Sequence, residues 1–106
     1  PGVAPYAAAK GGVLTLTRTM ALDLAKDNIR VMALIPGAVD TPMLRSHAER
    51  EGMTLEELGF PSSPNAIARI ASPDELAGPI SFLLSRDATF MTGSALIADG
   101  GILAKF

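Results

Sequence analysis

Residues Ile29-Arg30-Val31-Met32-Ala33-Leu34-Ile35 form a nearly unbroken apolar run that Pro36-Gly37 brings to a stop. Its β-branched residues and the Pro-Gly stop predict a strand, and it is too short for a buried helix. A strand with one wet face alternates apolar and polar residues. Continuous apolarity instead predicts burial on both faces, as in a parallel sheet. Parallel strands need a long crossover between them, usually a helix. This run therefore commits the chain to an α/β architecture.

The rest of the chain fits that frame. Pro5 to about Lys26 predicts a long helix, because Val13, Leu14, Leu16, Met20, Ala21 and Leu24 recur at three- and four-residue spacing. Asp27-Asn28 ends it. Gly11 and Gly12 each cost about 1 kcal/mol relative to Ala inside a helix, so close approach of a cofactor or a neighbouring helix is expected beside them. Thr41 to about Asn65 is polar and mixed and reads as a lid. Within it, Pro42-Met43-Leu44-Arg45 starts a short helix, Met53–Leu58 forms another with Thr54 as N-cap, and Pro61-Ser62-Ser63-Pro64 is a breaker cluster. Ser72-Pro73-Asp74-Glu75 is a helix start with a cap, a proline at the first position and a capping-box glutamate. That helix runs through Leu76, Ile80, Leu83 and Leu84 to about Arg86, and Pro79 is expected to bend it or loosen its first turns. Ala95–Ala98 is a second short strand.

The order helix, strand, lid, helix, strand ends in a βαβ unit with an expected right-handed crossover. Two strands alone make a marginal sheet and leave an edge unpaired. Residues 1–106 are therefore expected to form a single partial domain, the end of a doubly wound sheet. The chain is 48% apolar with a net charge of −2, which is rich in apolar residues for a small domain that exposes much of its surface. Either it is an Ala-rich helical protein, or its surfaces are shaped to be covered by something else.

Several function classes are excluded as expectations. The charge balance offers no basic stripe for nucleic acid and no polybasic membrane anchor. No apolar run approaches the roughly 18 residues of a transmembrane helix. Nothing reads as a signal peptide, and the chain starts on Pro1, as a fragment or processed chain does. Cysteine is absent, which removes disulfides and thiolate metal sites and permits the cytoplasmic location taken as the default. His47 is the one histidine, beside Glu49 and Arg50, and reads as a solvated lid residue. No metal site is expected. Glu49, Glu51, Glu56 and Glu57 read as exposed helix faces, and Asp99-Gly100-Gly101 as a turn after the last strand.

Tyr6 and Lys10 carry the chemical signal. In Tyr6-Ala7-Ala8-Ala9-Lys10 they are four apart, hence on one face of a helix. A cation beside a phenol favours the phenolate, and a phenol so placed can give and take a proton. Without context, this is also simply a surface pair on an Ala-rich helix.

Context comes from the motifs that follow. Tyr6-x-x-x-Lys10, the loop Pro36-Gly37-Ala38-Val39-Asp40-Thr41, Ser72-Pro73-Asp74-Glu75, and Thr92-Gly93-Ser94 through Asp99-Gly100-Gly101 stand in this order. Together they resemble the C-terminal part of a short-chain dehydrogenase/reductase, over essentially the whole chain. The resemblance implies a Rossmann-type fold and hydride transfer between NAD or NADP and a carbonyl or secondary alcohol. It makes Tyr6 the proton donor or acceptor. It gives Lys10 two jobs, favouring the Tyr6 phenolate and hydrogen-bonding the nicotinamide ribose. Pro36, Gly37, Val39 and Thr41 become cofactor contacts, with Val39 backbone and the Thr41 hydroxyl on the carboxamide and Gly37 allowing close approach. Thr41 is equally an N-cap before Pro42, and the two roles are compatible.

Other family features do not occur in these residues. There is no Gly-x-x-x-Gly-x-Gly phosphate turn. The family's catalytic serine falls further upstream of the tyrosine than the five residues Pro1–Pro5 reach, and none of those is Ser. The residues that choose between NAD and NADP belong to the same upstream part. The chain alone is therefore expected to be inactive and not to bind a dinucleotide tightly. The resemblance also implies subunit contacts, and a homo-oligomer, dimer or tetramer, is expected. The alternative is a non-catalytic, oligomerising half-protein derived from the family.

Overall fold

The structure is a computed structural model and describes residues 2–59, 67 and 69–104. The element order is α1 (Ala4–Leu24), β1 (Ala33–Pro36), α2 (Pro42–Glu51), α3 (Leu55–Gly59), α4 (Asp74–Leu84) and β2 (Ala95–Ala98), with short 3-10 turns at Ala25–Asp27 and Arg86–Ala88. The expected α/β order is borne out. The breaker cluster Pro61–Pro64 lies outside the described residues.

β1 and β2 pair in a two-stranded sheet. Ala33 N–H donates to Ser94 O at 3.1 Å and Gly37 N–H to Ala98 O at 3.2 Å, and equal steps along both strands mean they run parallel. The contacts divide the chain into two compact units, Pro1–Leu34 with Ser81–Leu96, and Ile35–Ile80 with Ile97–Phe106.

In the first unit, α1 starts without a side-chain cap and ends after the 3-10 turn at Asn28, whose φ of 57° reverses the chain. Thr17 and Ala21 face inward. The buried Thr17 hydroxyl is satisfied within the helix, donating to Val13 O at 2.8 Å. Gly93 lies against Ala21, where an added Cβ would come within 3.3 Å of the alanine methyl. The buried residues of this unit, Thr17, Ala21, Ala33, Leu83 and Ala88, are mostly small. Gly11 and Gly12 have open space around them, so the close neighbour expected beside them is not found among the described residues.

The predicted strand begins later than the apolar run does. Ile29 N–H donates back to Leu24 O, and Val31 pairs with the Thr92 hydroxyl and Gly93 N–H. The Arg30 guanidinium reaches three carbonyl oxygens, Leu83 at 2.8 Å and Ser85 and Met91 at 3.3 Å each. Residues 29–32 thus tie down the end of α1 and the exit of α4, and the ladder proper starts at Ala33.

In the second unit the cap at Thr54 and the Glu75 half of the second capping box are in place. Thr54 and Glu57 form a reciprocal capping box before α3, at 2.7 and 3.1 Å. Glu75 reaches back to the Ser72 N–H at 2.8 Å, and Pro79 stays inside α4. Val39 makes a parallel bridge to Ala71. Ala48 is buried on α2.

Two substitutions separate the roles of the glycines. An added Cβ at Gly37 would fall 2.8 Å from Asp99 O and 2.9 Å from its Cα, both backbone atoms that cannot move aside cheaply. Gly37→Ala is expected to destabilise the chain by about 1–3 kcal/mol. Gly12→Ala, in open space on a helix, is expected to stabilise it by about 0.5–1 kcal/mol. Urea unfolding followed by circular dichroism reads both signs.

The ion pair at the start of α4 makes a second prediction. Arg69 donates to both Glu75 carboxylate oxygens at 2.6 and 2.7 Å. This contact first, and the Ser72 N–H second, hold the Glu75 carboxyl down to about 2, against an ordinary value of 4.5. A carboxyl lowered on folding contributes its stability in full above about pH 4.5, and the contribution is lost as pH falls toward 2. The Glu75 side-chain carbonyl signal is expected to titrate near 2 in wild type. In Arg69→Gln the midpoint moves up toward 4.5.

Candidate functional site

The residues singled out by the sequence fall into two groups, one in each unit.

Tyr6 and Lys10 lie in the first turns of α1. The Lys10 ammonium sits over the Tyr6 ring, 5.5 Å from its centroid. The i,i+4 spacing brings them together on a helix with no β-branched residue between them. Tyr6 is 62% exposed, and Lys10 forms no salt bridge among the described residues. Both the phenol oxygen and the ammonium are therefore available to a ligand. The residues forming the buried face of α1 start further along, at Thr17.

The loop after β1 forms the second group. Gly37 is pressed against the Asp99 backbone, so its lack of a side chain already has a structural cause within the protein. Asp40 N–H donates to Ala71 O, and Ala71 N–H to Ala38 O. These two bonds flank Val39, so the Val39 N–H and C=O point to the opposite side. Neither has a partner among the described residues. The Thr41 hydroxyl oxygen accepts from Leu44 N–H at 3.3 Å and caps α2. Its hydrogen remains free to donate. The cap and a ligand contact are thus compatible, as the sequence reading held. Pro36 is exposed at the end of β1.

Local pattern did not identify the arginine pairings around this loop. Asp40 takes two hydrogen bonds from Arg45, at 2.6 and 2.7 Å, and these hold its carboxyl below the usual carboxylate range. The Asp99 carboxylate accepts from Gly101 N–H at 2.8 Å and Leu103 N–H at 2.9 Å. Those donors, Leu103 foremost, lower it too. Asp99 caps a turn through Gly100 and Gly101, both at positive φ, in agreement with the turn expected there. A cleft of about 180 Å³ opens beside the loop, lined by Gly37, Ala38, Arg69, Ala71, Glu75 and Asp99 among others. The carboxylates of Asp40 and Glu75 are each matched to an arginine and Asp99 to backbone amides, so none is poised as a free base. Among the described residues no group of three metal-ligating side chains occurs, and no helix is long and apolar enough to cross a membrane.

Within the first unit, the phenol and the ammonium can each hydrogen-bond a hydroxyl; within the second, an outward backbone N–H and C=O and a hydroxyl hydrogen can serve an amide. No glycine-rich turn for a pyrophosphate occurs in the sequence.

Comparison with known proteins points to a family. A family model described as enoyl-(acyl carrier protein) reductase matches residues 1–103. The chain is 36% identical over 111 residues to dehydrogenase/reductase SDR family member 4 of Caenorhabditis elegans, covering 99% of this chain and 40% of that protein. The structure is similar to L-sorbose reductase of Gluconobacter frateurii, solved with NADPH and L-sorbose, at 33% identity and a TM-score of 0.77 over 95% of this chain and 41% of that one. It is likewise similar to 4-hydroxyisoleucine dehydrogenase in complex with NADH, at 29% identity and a TM-score of 0.77, over 95% and 40%. The chain thus spans about two fifths of the length of the relatives it matches. With its motif order, its parallel strand pair and the match over residues 1–103 in agreement, the chain belongs to the short-chain dehydrogenase/reductase family.

Proposed function

We propose that these residues form the proton-transfer and nicotinamide-holding part of an NAD(P)-dependent oxidoreductase acting on a small carbonyl or secondary alcohol. The observation that carries this reading is the Lys10 ammonium 5.5 Å over an exposed Tyr6 ring, in a chain of this family. When bound, the nicotinamide gives or takes the hydride. In reduction the Tyr6 hydroxyl donates its proton to the substrate oxygen, and in oxidation the phenolate accepts it. The Lys10 ammonium favours the phenolate by charge attraction and hydrogen-bonds the ribose hydroxyls. The Val39 backbone and the Thr41 hydroxyl would hold the carboxamide. Gly37 keeps its place by close packing on Asp99 and so sets where Val39 and Thr41 stand. A cytoplasmic location belongs to the same reading.

Activity needs more than these 106 residues. The phosphate turn and the upstream serine are expected from a partner stretch of sequence. The chain alone is expected to turn over no alcohol with NAD or NADP. Mixed with the complementary part of a family member, or fused to it, it is expected to gain activity. Tyr6→Phe in that assembly lowers kcat by about 10²–10⁴-fold. Turnover by the chain alone, or full activity of the Tyr6→Phe assembly, contradicts the reading.

A second reading, an oligomerising fragment without catalysis, draws on α1. Tyr6, Val13, Leu16 and Met20 are all exposed, and with Ala9 they follow the a and d positions of a heptad. A helix apolar on more than its buried stripe is built to be covered. We propose a homo-oligomer, a dimer or tetramer, through this stripe, with two-fold symmetry. Sedimentation is expected to show association at micromolar concentration and a shift toward monomer in Leu16→Glu. A folded wild-type monomer at tens of micromolar contradicts it.

A further inference from the structure

The direction of the free Val39 N–H and C=O is set by the bonds on the other side of that residue. Asp40 N–H donates to Ala71 O at 2.9 Å, and Ala71 N–H donates to Ala38 O at 3.0 Å. One residue, Ala71, thus holds the peptide groups on both flanks of Val39 in a parallel bridge. In such a bridge the central residue turns its own N–H and C=O away from the partner. Any movement of Ala71 turns the Val39 backbone with it.

Ala71 itself needs support. Its segment starts at Ile67, whose N–H donates to Gly100 O at 2.6 Å, and reaches Ser72 just ahead of α4. Residues 69–72 are each exposed or half-buried. Among the described residues, one cleft borders Arg69 and Ala71 on the side of Gly37 and Asp99. A second, of about 350 Å³, borders them on the side of Asp40, Leu55 and Glu56. Packing supports this segment little, so hydrogen bonds carry its placement.

Those bonds converge on one side chain. The Glu75 carboxylate takes the Arg69 guanidinium at 2.6 and 2.7 Å and the Ser72 N–H at 2.8 Å. It therefore ties down the chain on both sides of Ala71, and it is itself fixed in the first turn of α4. A two-pronged arginine–carboxylate pair restricts geometry as well as adding energy.

We infer that Glu75 and Arg69 are positioning residues for the nicotinamide carboxamide, acting through Ala71 to set the direction of the Val39 N–H and C=O. This rests on the proposed function, which puts the carboxamide at Val39. Both residues act from the Ala71 side of Val39, opposite its free N–H and C=O. Groups that contact a ligand keep their alignment when the bonds behind them are fixed, and small misplacements cost binding.

The test uses the full 106-residue chain, reduced nicotinamide mononucleotide as the probe, and the variants Arg69→Gln and Arg69→Lys. Arg69→Gln removes the ion pair and leaves the Glu75 bond to Ser72 N–H in place. Amide hydrogen exchange is measured first, without ligand. Asp40 and Ala71 are expected to exchange about 5-fold faster in Arg69→Gln, the upper end for an exposed ion pair. Gly37, bonded to Ala98, and the α4 amides are expected to keep their wild-type rates, which separates a shifted bridge from a loosened fold. In an NMR titration with the mononucleotide, Arg69→Gln is expected to bind about 5-fold more weakly, with a smaller shift at Val39. Arg69→Lys keeps the charge and is expected to recover part of both effects. Three results overturn the inference: Asp40 and Ala71 exchanging as in wild type, Gly37 and α4 loosening equally with them, or Arg69→Gln binding the mononucleotide as wild type does. The two failures are told apart by the wild-type chain. No shift at Val39 there refutes the proposed function and this role with it, whereas a wild-type shift that Arg69→Gln leaves unchanged refutes the positioning role alone.

Discussion

Gly37 and Asp99 touch backbone to backbone, and the placement of the loop after β1 depends on that contact. It sits where β1 and β2 both end. A side chain at residue 37 would meet the Asp99 carbonyl at 2.8 Å, so the two strand ends can lie this close only with glycine there. The contact then fixes the start of the loop that carries Val39 and Thr41. From the other side, the Asp99 carboxylate gathers Gly101 and Leu103 amides into a tight turn. Ligands in open α/β sheets bind beyond the carboxyl ends of the strands, and here those ends are held by packing and by backbone hydrogen bonds rather than by a ligand.

Around that frame, charge is used for anchoring. Arg30 ties three carbonyls at the end of α4 and the following turns. Arg45 holds Asp40, and Arg69 holds Glu75. The exposed pairs add little stability each, but each fixes a segment beside the loop after β1 or at the start of α4. Lys10 is different. It has no carboxylate partner among the described residues and lies against the Tyr6 ring, which leaves its charge available for chemistry.

Much of this was legible in the sequence, because it is local. The caps at Thr41 and Thr54 and the Glu75 half of the capping box at Ser72-Pro73-Asp74-Glu75 are read from residues three or four apart, and these are made as expected. The Tyr6–Lys10 pair is local in the same sense. What escaped depends on residues far apart in the chain. The apolar run from Ile29 looks like strand throughout, yet Val31 is taken by Thr92 and Arg30 by carbonyls more than fifty residues away. Gly37 reads as room for a cofactor, and its close neighbour is Asp99. Gly11 and Gly12 suggest a close partner, and these residues alone leave both in the open. The exposed stripe of α1, like those glycines, stays uncovered among the described residues.

The central claim is that the chain carries the nicotinamide end of a dinucleotide site and not the phosphate end. Titrating it by NMR with reduced nicotinamide mononucleotide and, separately, with NADH tests this most directly. The account predicts that the two bind equally weakly, near millimolar, a regime of about −4 kcal/mol, with shifts at Tyr6, Lys10, Val39 and Thr41. NADH binding in the micromolar range, far tighter than the mononucleotide, would contradict it, because these residues would then be gripping the pyrophosphate or adenosine as well.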